Sequence, residues 1–394
     1  MSRFNFLRRV AKCMLIVFCI AGGSIMMQPV YAQETSEPKK EKKGILRDTL
    51  DNKLDLSRFI IDAKGIIPIP YIITEPALGG FGILLAPVLI TPKKKPGVKG
   101  YVPPDITAAM GMYTANKSWM VGALRSGSVP KIGLKYRVGL AYADIFLTYY
   151  RDILNSGEKQ FDFELNVFPF LLSVSKKISK SDVYLGLQYT FANIKVKPQF
   201  GGNLPSFIKP QDMNNNLGEL GVFMDWDRRN TIFTPDKGTR LNVLFSASDN
   251  WTGSNYNYQR LNSSLNWFIP IKPKWISGLR AEVLHVFNEP PFYAYPSINM
   301  RGIPYARYQG TTTALVETEQ RFDFAGRWSV VAFGGLGAAM FKDESLGDSK
   351  AVYNYGTGFR YLLARAFKAR VGIDIAGGPD SWGWYIVFGH NWNR

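Results

Sequence analysis

The sequence predicts an all-β protein: a transmembrane antiparallel β-barrel of about sixteen strands with an outer loop folded into its lumen. Three observations carry that reading. From residue 67 onward, apolar and polar residues alternate with a period of two in one segment after another. The chain is rich in aromatics, with 26 Phe, 20 Tyr and 9 Trp, and they cluster at segment ends, where interfacial girdles lie. No apolar run beyond residue 32 is long enough for a spanning helix, and the nearest, Phe81–Ile90, is broken by Pro87.

The first 32 residues read differently from the rest. Arg3, Arg8, Arg9 and Lys12 form a basic region, Met14–Ile20 begins an apolar one, and Val30-Tyr31-Ala32 is a small-x-small cleavage site. An N-terminal membrane anchor is the alternative, but the apolar run is short for a span of about 20 residues and Gly22-Gly23 interrupts it. Val17-Phe18 ahead of Cys19 does not fit a lipidation site. The expected organisation is a signal peptide over 1–32, a polar periplasmic leader over 33–66 and an outer-membrane barrel over 67–394. Both cysteines, Cys13 and Cys19, leave with the signal peptide, so neither disulfides nor thiol chemistry is expected downstream.

There are 48 Lys+Arg against 31 Asp+Glu, and the surplus falls from +17 to about +13 without the signal peptide. Nucleic acid is one reading of such a surplus. Export favours anionic lipid head groups and a charged lumen instead, so outer-membrane lipids are the expected surroundings and no nucleic acid is expected. In the leader, Ser36–Gly44 reads as a flexible tether and Ile45–Ile61 as a short amphipathic helix.

Strands are expected near 79–90, 104–115, 117–126, 131–141, 143–152, 160–176, 181–196, 216–228, 237–249, 254–269, 273–288, 311–324, 327–341, 351–363, 366–376 and 382–392. Phe161, Phe163, Leu165 and Val167 alternate with Asp162, Glu164 and Asn166, and Leu279 and Val283 with Arg280 and Glu282. Each such strand turns one face to an apolar medium and one to a polar lumen. The number is even, as single-chain bacterial barrels require. Pro68-Ile69-Pro70 marks the junction of leader and barrel, because proline cannot sit inside a central strand. Tight turns at Asn230–Gly238 and Ile271–Pro273 are expected to face the periplasm. The longer connections Thr91–Pro104, Lys195–Asn215 and Glu289–Gly310 are expected to face outward.

Three motifs refine this picture. The last strand reads Ser381 to Phe388, and its polar-x-Gly-x-x-apolar-x-aromatic pattern is similar to the C-terminal signal that barrel-assembly machinery recognises. Gly383, Ile386 and Phe388 carry it, and Trp392 is a second candidate for the terminal aromatic. The second motif is Asp225-Trp226-Asp227-Arg228-Arg229-Asn230 followed by Pro235-Asp236-Lys237-Gly238. An ordinary Pro-Asp-x-Gly turn accounts for Pro235 and Gly238 but not for the acid–base cluster of Asp225, Asp227, Arg228 and Arg229. The cluster resembles the mid-barrel turn of the BamA/TamA superfamily of outer-membrane assembly and translocation barrels.

The third motif is the stretch Ile298–Gly310, INMRGIPYARYQG, too long for an ordinary strand connection. Arg301-Gly302-Ile303 resembles the tip of that superfamily's sixth outer loop. The resemblance implies that the loop enters the lumen and that Arg301 rests on acidic groups of the wall. Glu317, Glu319 and Arg321 offer themselves there, two apart and so on one face of the next strand, and Glu319-Gln320-Arg321 matches the E-x-R of the relatives. An arginine in a low-dielectric lumen needs such a carboxylate. The alternative is a solvated arginine in an outer loop. The chain departs from the pattern at Gly335, where the relatives often carry an acid, which leaves a second partner for Arg301 unassigned. The resemblance covers roughly residues 67–394. It places the Arg-Gly loop between the eleventh and twelfth strands and the turn motif between the eighth and ninth. Residues 33–66 are too few for a periplasmic POTRA module, so a barrel-only member is expected.

Catalysis is not expected. The histidines, His285 and His390, are expected to face lipid or the rim, no G-x-S-x-G elbow occurs, and no metal site, cofactor site, P-loop or dinucleotide fingerprint is present. The resemblance implies a barrel that aids insertion or passage of proteins, or lipids, through a weak seam between its first and last strands. Client barrel proteins and a periplasmic accessory protein are the expected partners. Gly79, Gly80, Gly82 and Pro87 are expected to weaken pairing at that seam, where a client strand could template on the exposed edge. The alternative is a passive channel or structural surface antigen that has kept the motifs without insertase activity.

Overall fold

The computed structural model describes residues 46–62, 66–91, 105–153, 157–179, 181–342, 349, 351–379 and 381–392. The signal peptide over 1–32 and the tether Ser36–Gly44 lie outside the described residues. Sixteen antiparallel strands form one sheet in chain order. They are β1 (Ile66–Ile73), β2 (Gly82–Thr91), β3 (Asp105–Thr114), β4 (Trp119–Val129), β5 (Leu134–Ile153), β6 (Gly157–Lys177), β7 (Val183–Pro198) and β8 (Asn214–Asp227). The second half comprises β9 (Gly238–Ser248), β10 (Tyr258–Lys272), β11 (Trp275–Phe287), β12 (Thr312–Ala325), β13 (Trp328–Met340), β14 (Ala351–Ala364), β15 (Ala369–Gly378) and β16 (Ser381–Phe388). The sheet curls until β1 and β16 approach each other. No ladder joins these two strands among the described residues, so the barrel is nearly but not fully closed.

Period-two patterning sets which way each strand faces. On β11, Leu279, Val283 and Phe287 are exposed while Arg280, Glu282, Leu284 and Val286 are buried. The same outward apolar band continues through Ile83, Val121, Leu187, Val316 and Ile375. An uninterrupted apolar belt of this kind is what a bilayer covers and what water does not tolerate.

The lumen differs from the expected wet, charged interior. Buried charges are concentrated on β8 to β15, and inward-facing polar residues such as Lys135 and Gln188 line the leader end of β5 to β7. Towards the loop end, however, the lumenal faces of β2 to β7 are apolar: Leu84, Val88, Met110, Val167 and Ile194 form one cluster with Phe292 and Tyr293 of the β11–β12 loop. A wall that packs against a loop has no water to satisfy polar side chains, so its inward face must be apolar.

The strand total agrees with expectation for compensating reasons. β1 was not anticipated, because Pro68 and Pro70 lie inside it. β1 is an edge strand, where proline costs no ladder bond. Conversely, residues 131–141 and 143–152 are not two strands: β5 runs unbroken from Leu134 to Ile153. The missing first strand also inverts the direction of the next three. The connection Thr91–Pro104 therefore joins β2 to β3 at the same end as the β8–β9 and β10–β11 turns, not at the outer end, although residues 92–104 themselves lie outside the described residues. That end, where β1 begins and β16 finishes, is called the leader end below; the β7–β8 and β11–β12 loops lie at the opposite, loop end.

The leader is docked rather than free where it is described. A short helix, α1 (Ser57–Asp62), begins after Asp55, whose carboxylate accepts the Ser57 amide at 2.7 Å. Arg327, in the β12–β13 turn, donates to Asp51 and Asp55 at 2.7 Å each and to Asp48, and Arg365 in the β14–β15 turn reaches Asp48 and Asp51. Backbone contacts reinforce the dock: Leu56 donates to the Leu363 carbonyl at 2.8 Å and Ala366 to Ser57 Oγ at 3.0 Å. The leader thus grips the turns beside β14 and then continues into β1, across the unladdered join.

The hydrogen bond from Arg327 holds the Asp51 carboxyl down at about 2, against an opposing push from burial. A carboxyl depressed in the folded state contributes stability above its unfolded value, near 4, and loses it as pH falls towards the folded value. A fluorophore at Leu50→Cys is therefore expected to keep high anisotropy from pH 7 to about 4 and to lose it as the pH approaches 2. Unchanged anisotropy at the acid end would contradict the docking by carboxylates.

Candidate functional site

The β11–β12 connection, residues 288–311, forms the centre of the site. It enters the barrel, so its backbone must satisfy itself without water. Ile298 donates to the Tyr308 carbonyl at 2.9 Å, and Ser297 bridges Gln309, closing the segment as a small hairpin. Its tip lands on the last three strands. Gly302 has φ +83° and lies so close to β15 that a Cβ there would sit 2.8 Å from the Gly377 backbone. The Gly302 amide donates to Tyr385 Oη at 2.8 Å, Ser381 Oγ donates to the Gly302 carbonyl at 2.6 Å, and Asn354 Nδ2 donates to the Arg301 carbonyl at 3.0 Å. Ile303 packs with Ile298, Met300, Leu315 and Val352 in a small apolar cluster beneath the tip.

Arg301 is held by charge. Its side chain is 1% exposed, with Nη2 2.7 Å from Glu319 Oε2 on β12 and Nη1 2.5 Å from Asp374 Oδ2 on β15. Its guanidinium also lies over the Phe333 ring, 3.4 Å from the centroid. Asp374, fully buried, accepts both guanidinium nitrogens of Arg360 as well. The second acid of the lock therefore comes from β15. Gly335, where an acid was looked for, has no room for one: a Cβ there would lie 2.6 Å from Glu317 Cγ.

The other proposed wall partners have different work. Glu317 does share the lumenal face but accepts Arg280 Nη1 at 2.5 Å and Asn354 Nδ2 at 3.2 Å. Arg321 does not touch Arg301. One step further along β12 towards the leader end, it donates to the Pro235 carbonyl at 3.2 Å and to Asp236 and Asp323. A displacement of about 6.7 Å between alternate residues is enough to move it from the loop to the turn.

That turn is the second element of the site. Asp227 is paired in fork geometry with Arg229 at 2.9 and 2.8 Å, Asp225 with Arg240 at 2.9 Å, and the exposed Arg228 with Asp182 at 2.8 Å. Gly238 has φ +108° and faces the Arg228 carbonyl, which a Cβ would meet at 2.2 Å. The turn carrying Pro235 lies halfway round the sheet from the seam and crosses the leader-end mouth to reach it. Thr231 donates to the Phe367 carbonyl at 3.0 Å, Asp236 binds Lys368, and Phe233 meets the Phe388 ring edge-on at 5.7 Å. Burial pushes the Asp236 carboxyl up, but Arg321 and Lys368 outweigh it and hold it below its usual range.

The C-terminal residues depart from expectation. Gly383, Ile386 and Phe388 lie in β16, which ends at Phe388. Gly389, with φ +78°, then turns the chain inward. Trp392 is buried against Phe268 and Gly278 in the lumen instead of closing the strand, and His390 is buried beside Arg229, 3.1 Å away, instead of facing lipid or the rim. A glycine at position 389 is the signal for this: a Cβ there would lie 2.5 Å from the Phe233 carbonyl.

Solved structures have a similar fold. The fold is that of the BamA-type barrel. BamA from Haemophilus ducreyi lacking POTRA domains 1–3 matches with a TM-score of 0.57 at 12% identity, over 82% of this chain and 69% of that one. CdiB from Escherichia coli matches with a TM-score of 0.56 at 11% identity, over 82% of this chain and 62% of that one. No protein-family profile matches the chain, and no curated protein does.

Asp374 serves two buried arginines and is itself fully buried, whereas Glu319 serves one of them and keeps part of its side chain exposed. Asp374→Asn is expected to cost about 3 to 5 kcal/mol, because removing one side of a buried ion pair leaves the other side uncompensated. Glu319→Gln is expected to cost only about 1 to 2 kcal/mol. Denaturant unfolding in detergent, followed by the mobility shift of the folded barrel, measures both; equal and small losses would count against the shared carboxylate.

Proposed function

We propose that this chain is an outer-membrane barrel of the assembly or translocation type, exported by residues 1–32, that aids the insertion or passage of proteins through its seam. The observation that carries the reading is the unladdered join of β1 and β16. The join goes with two prolines of β1, Pro68 and Pro70. Pro87, Gly79, Gly80 and Gly82 were expected at the seam but lie on or just before β2, and Pro87 serves only to fix the register. The β2–β3 register skips Ala86 and Pro87, then resumes unchanged. That gap arises if the missing Pro87 amide points at β3. Pro68 is paired opposite Pro87 in an unbroken β1–β2 ladder. Residues opposite each other in an antiparallel pair either both face one another or both face away. Pro68 therefore faces away from β2, as do Ile66, Pro70 and Ile72, onto the free edge. Two of the four donors that β16 would need are absent.

The filled lumen weighs against a passive channel. A solute would have to pass the apolar cluster under the β11–β12 loop and the Arg301 lock, neither of which leaves an aqueous path through that half of the barrel. Barrels of similar fold, BamA and CdiB, support the same class of activity here. Client barrel proteins and a periplasmic accessory protein are the partners this reading implies, with lipid as the second cargo.

Depleting the protein in its own cell provides the test. Folded outer-membrane barrels are expected to fall severalfold while small-solute permeability changes little; normal barrel levels with altered permeability would reverse the assignment. A second expectation concerns the seam alone. Pro68→Val with Pro70→Val restores two donors, so the barrel is expected to gain about 2 kcal/mol against denaturant as the seam zips, and to lose assembly activity.

A further inference from the structure

The two edges of the seam are chemically unequal, and that inequality selects which of them can hold a visiting strand. On the free edge of β1, Ile66, Pro68, Pro70 and Ile72 present four carbonyls but only two amides, by the register argument above. β16, Ser381–Phe388, contains no proline, so its free edge keeps every donor and acceptor. Within hydrocarbon, a visiting strand on β1 would leave carbonyls with no donor and no water, which is costly for each one. The same strand on β16 could pair throughout.

β16 is also the better-supported edge. The loop tip fixes it from inside through Tyr385 and Ser381, which bind the Gly302 amide and carbonyl. The β8–β9 turn fixes its far end through Phe388. β1 has a ladder on one side and the leader behind it. On the outer face, Trp382 and Trp384 stand exposed on β16, 72% and 36%, ready to pack beside the apolar face of a neighbouring strand.

We propose that β16, not β1, is the docking edge of this barrel, and that its partner is an extended, unpaired membrane β-strand of about eight residues with alternating apolar side chains. β1 then acts as the weak partner that yields the edge, and its prolines keep it from competing. This rests on the assembly reading given above, since an edge without a client has nothing to select.

The test places a photo-crosslinking residue, p-benzoylphenylalanine, at Trp382 on β16 or at Ile72 on β1, both near the loop end and both facing outward. The receiver is the full chain in phospholipid vesicles. The probe is a urea-unfolded, radiolabelled fragment spanning residues 238–394 of this same chain, which supplies unpaired barrel strands. Crosslinks from position 382 are expected to exceed those from position 72 by roughly thirtyfold, the effect of two missing hydrogen bonds. Pro68→Val with Pro70→Val, which zips the seam, is expected to lower the yield at position 382 to the level of that at 72. A larger yield at 72, or equal yields with the prolines in place, overturns the choice of β16 while leaving the assembly reading standing. No crosslink at either edge overturns the assembly reading, and this inference with it. If the substitution at Trp382 prevents folding, Trp384 takes its place on the same face, with the same outcomes.

Discussion

One carboxylate, Asp374, joins the parts of this barrel that are not joined by backbone. It is buried on β15, accepts both guanidinium nitrogens of Arg360 on β14, and receives Arg301 from a loop that left the wall at β11. A charge so placed is expensive unless matched. Its partners are therefore as constrained as it is, and the constraint spreads: Arg301 fixes the loop tip, the tip fixes Tyr385 and Ser381 on β16, and Phe333 closes over the guanidinium. The result is a rigid sector from β12 to β16, cross-braced through the lumen.

The opposite sector is held by different physics. Towards the loop end its inward faces are apolar, and there it packs against Phe292, Tyr293, Tyr305 and Ala306 from the same loop. The loop thus has two sides, a charged tip that grips β12 to β15 and an aromatic stem that serves as the core for β2 to β7. At the leader end the β8–β9 turn does the equivalent, reaching from the middle of the sheet to Phe367, Lys368 and Phe388 beside the seam. Two inserted segments at the two ends brace the wall everywhere except along the β1–β16 join.

Much of this was legible in the sequence, and the failures have physical reasons. Alternation identified the outward face correctly on β11, where a bilayer on one side and packing on the other leave no freedom for a register slip. It inverted that face on β6, where Phe163, Leu165 and Val167 pack into the lumenal core and Asp162, Glu164 and Asn166 lie on the outer face. Arg301 and Glu319 could be named because both belong to a recognisable motif and sit on consecutive elements. Asp374 could be placed on a polar face but not assigned to Arg301, since 73 residues separate them and only the path of the loop through the lumen brings them together. β1 was missed by applying a rule for central strands to an edge. His390 and Trp392 were misplaced because one left-handed glycine, Gly389, redirects the chain after β16, and no periodicity announces such a turn.

The missed strand is also the informative one. Had β1 been a regular strand, sixteen ladders would close the barrel, and the bracing described above would have no open side to act around. Pro68 and Pro70 remove donors from one edge only, at a cost the β1–β2 ladder does not feel, because neither proline nitrogen faces β2. The leader then ties that same strand to the β12–β13 and β14–β15 turns through Arg327 and Arg365. An edge that is weak by composition therefore lies next to an edge that is complete and braced, and the leader that precedes the weak edge is held by the same turns that flank the braced sector.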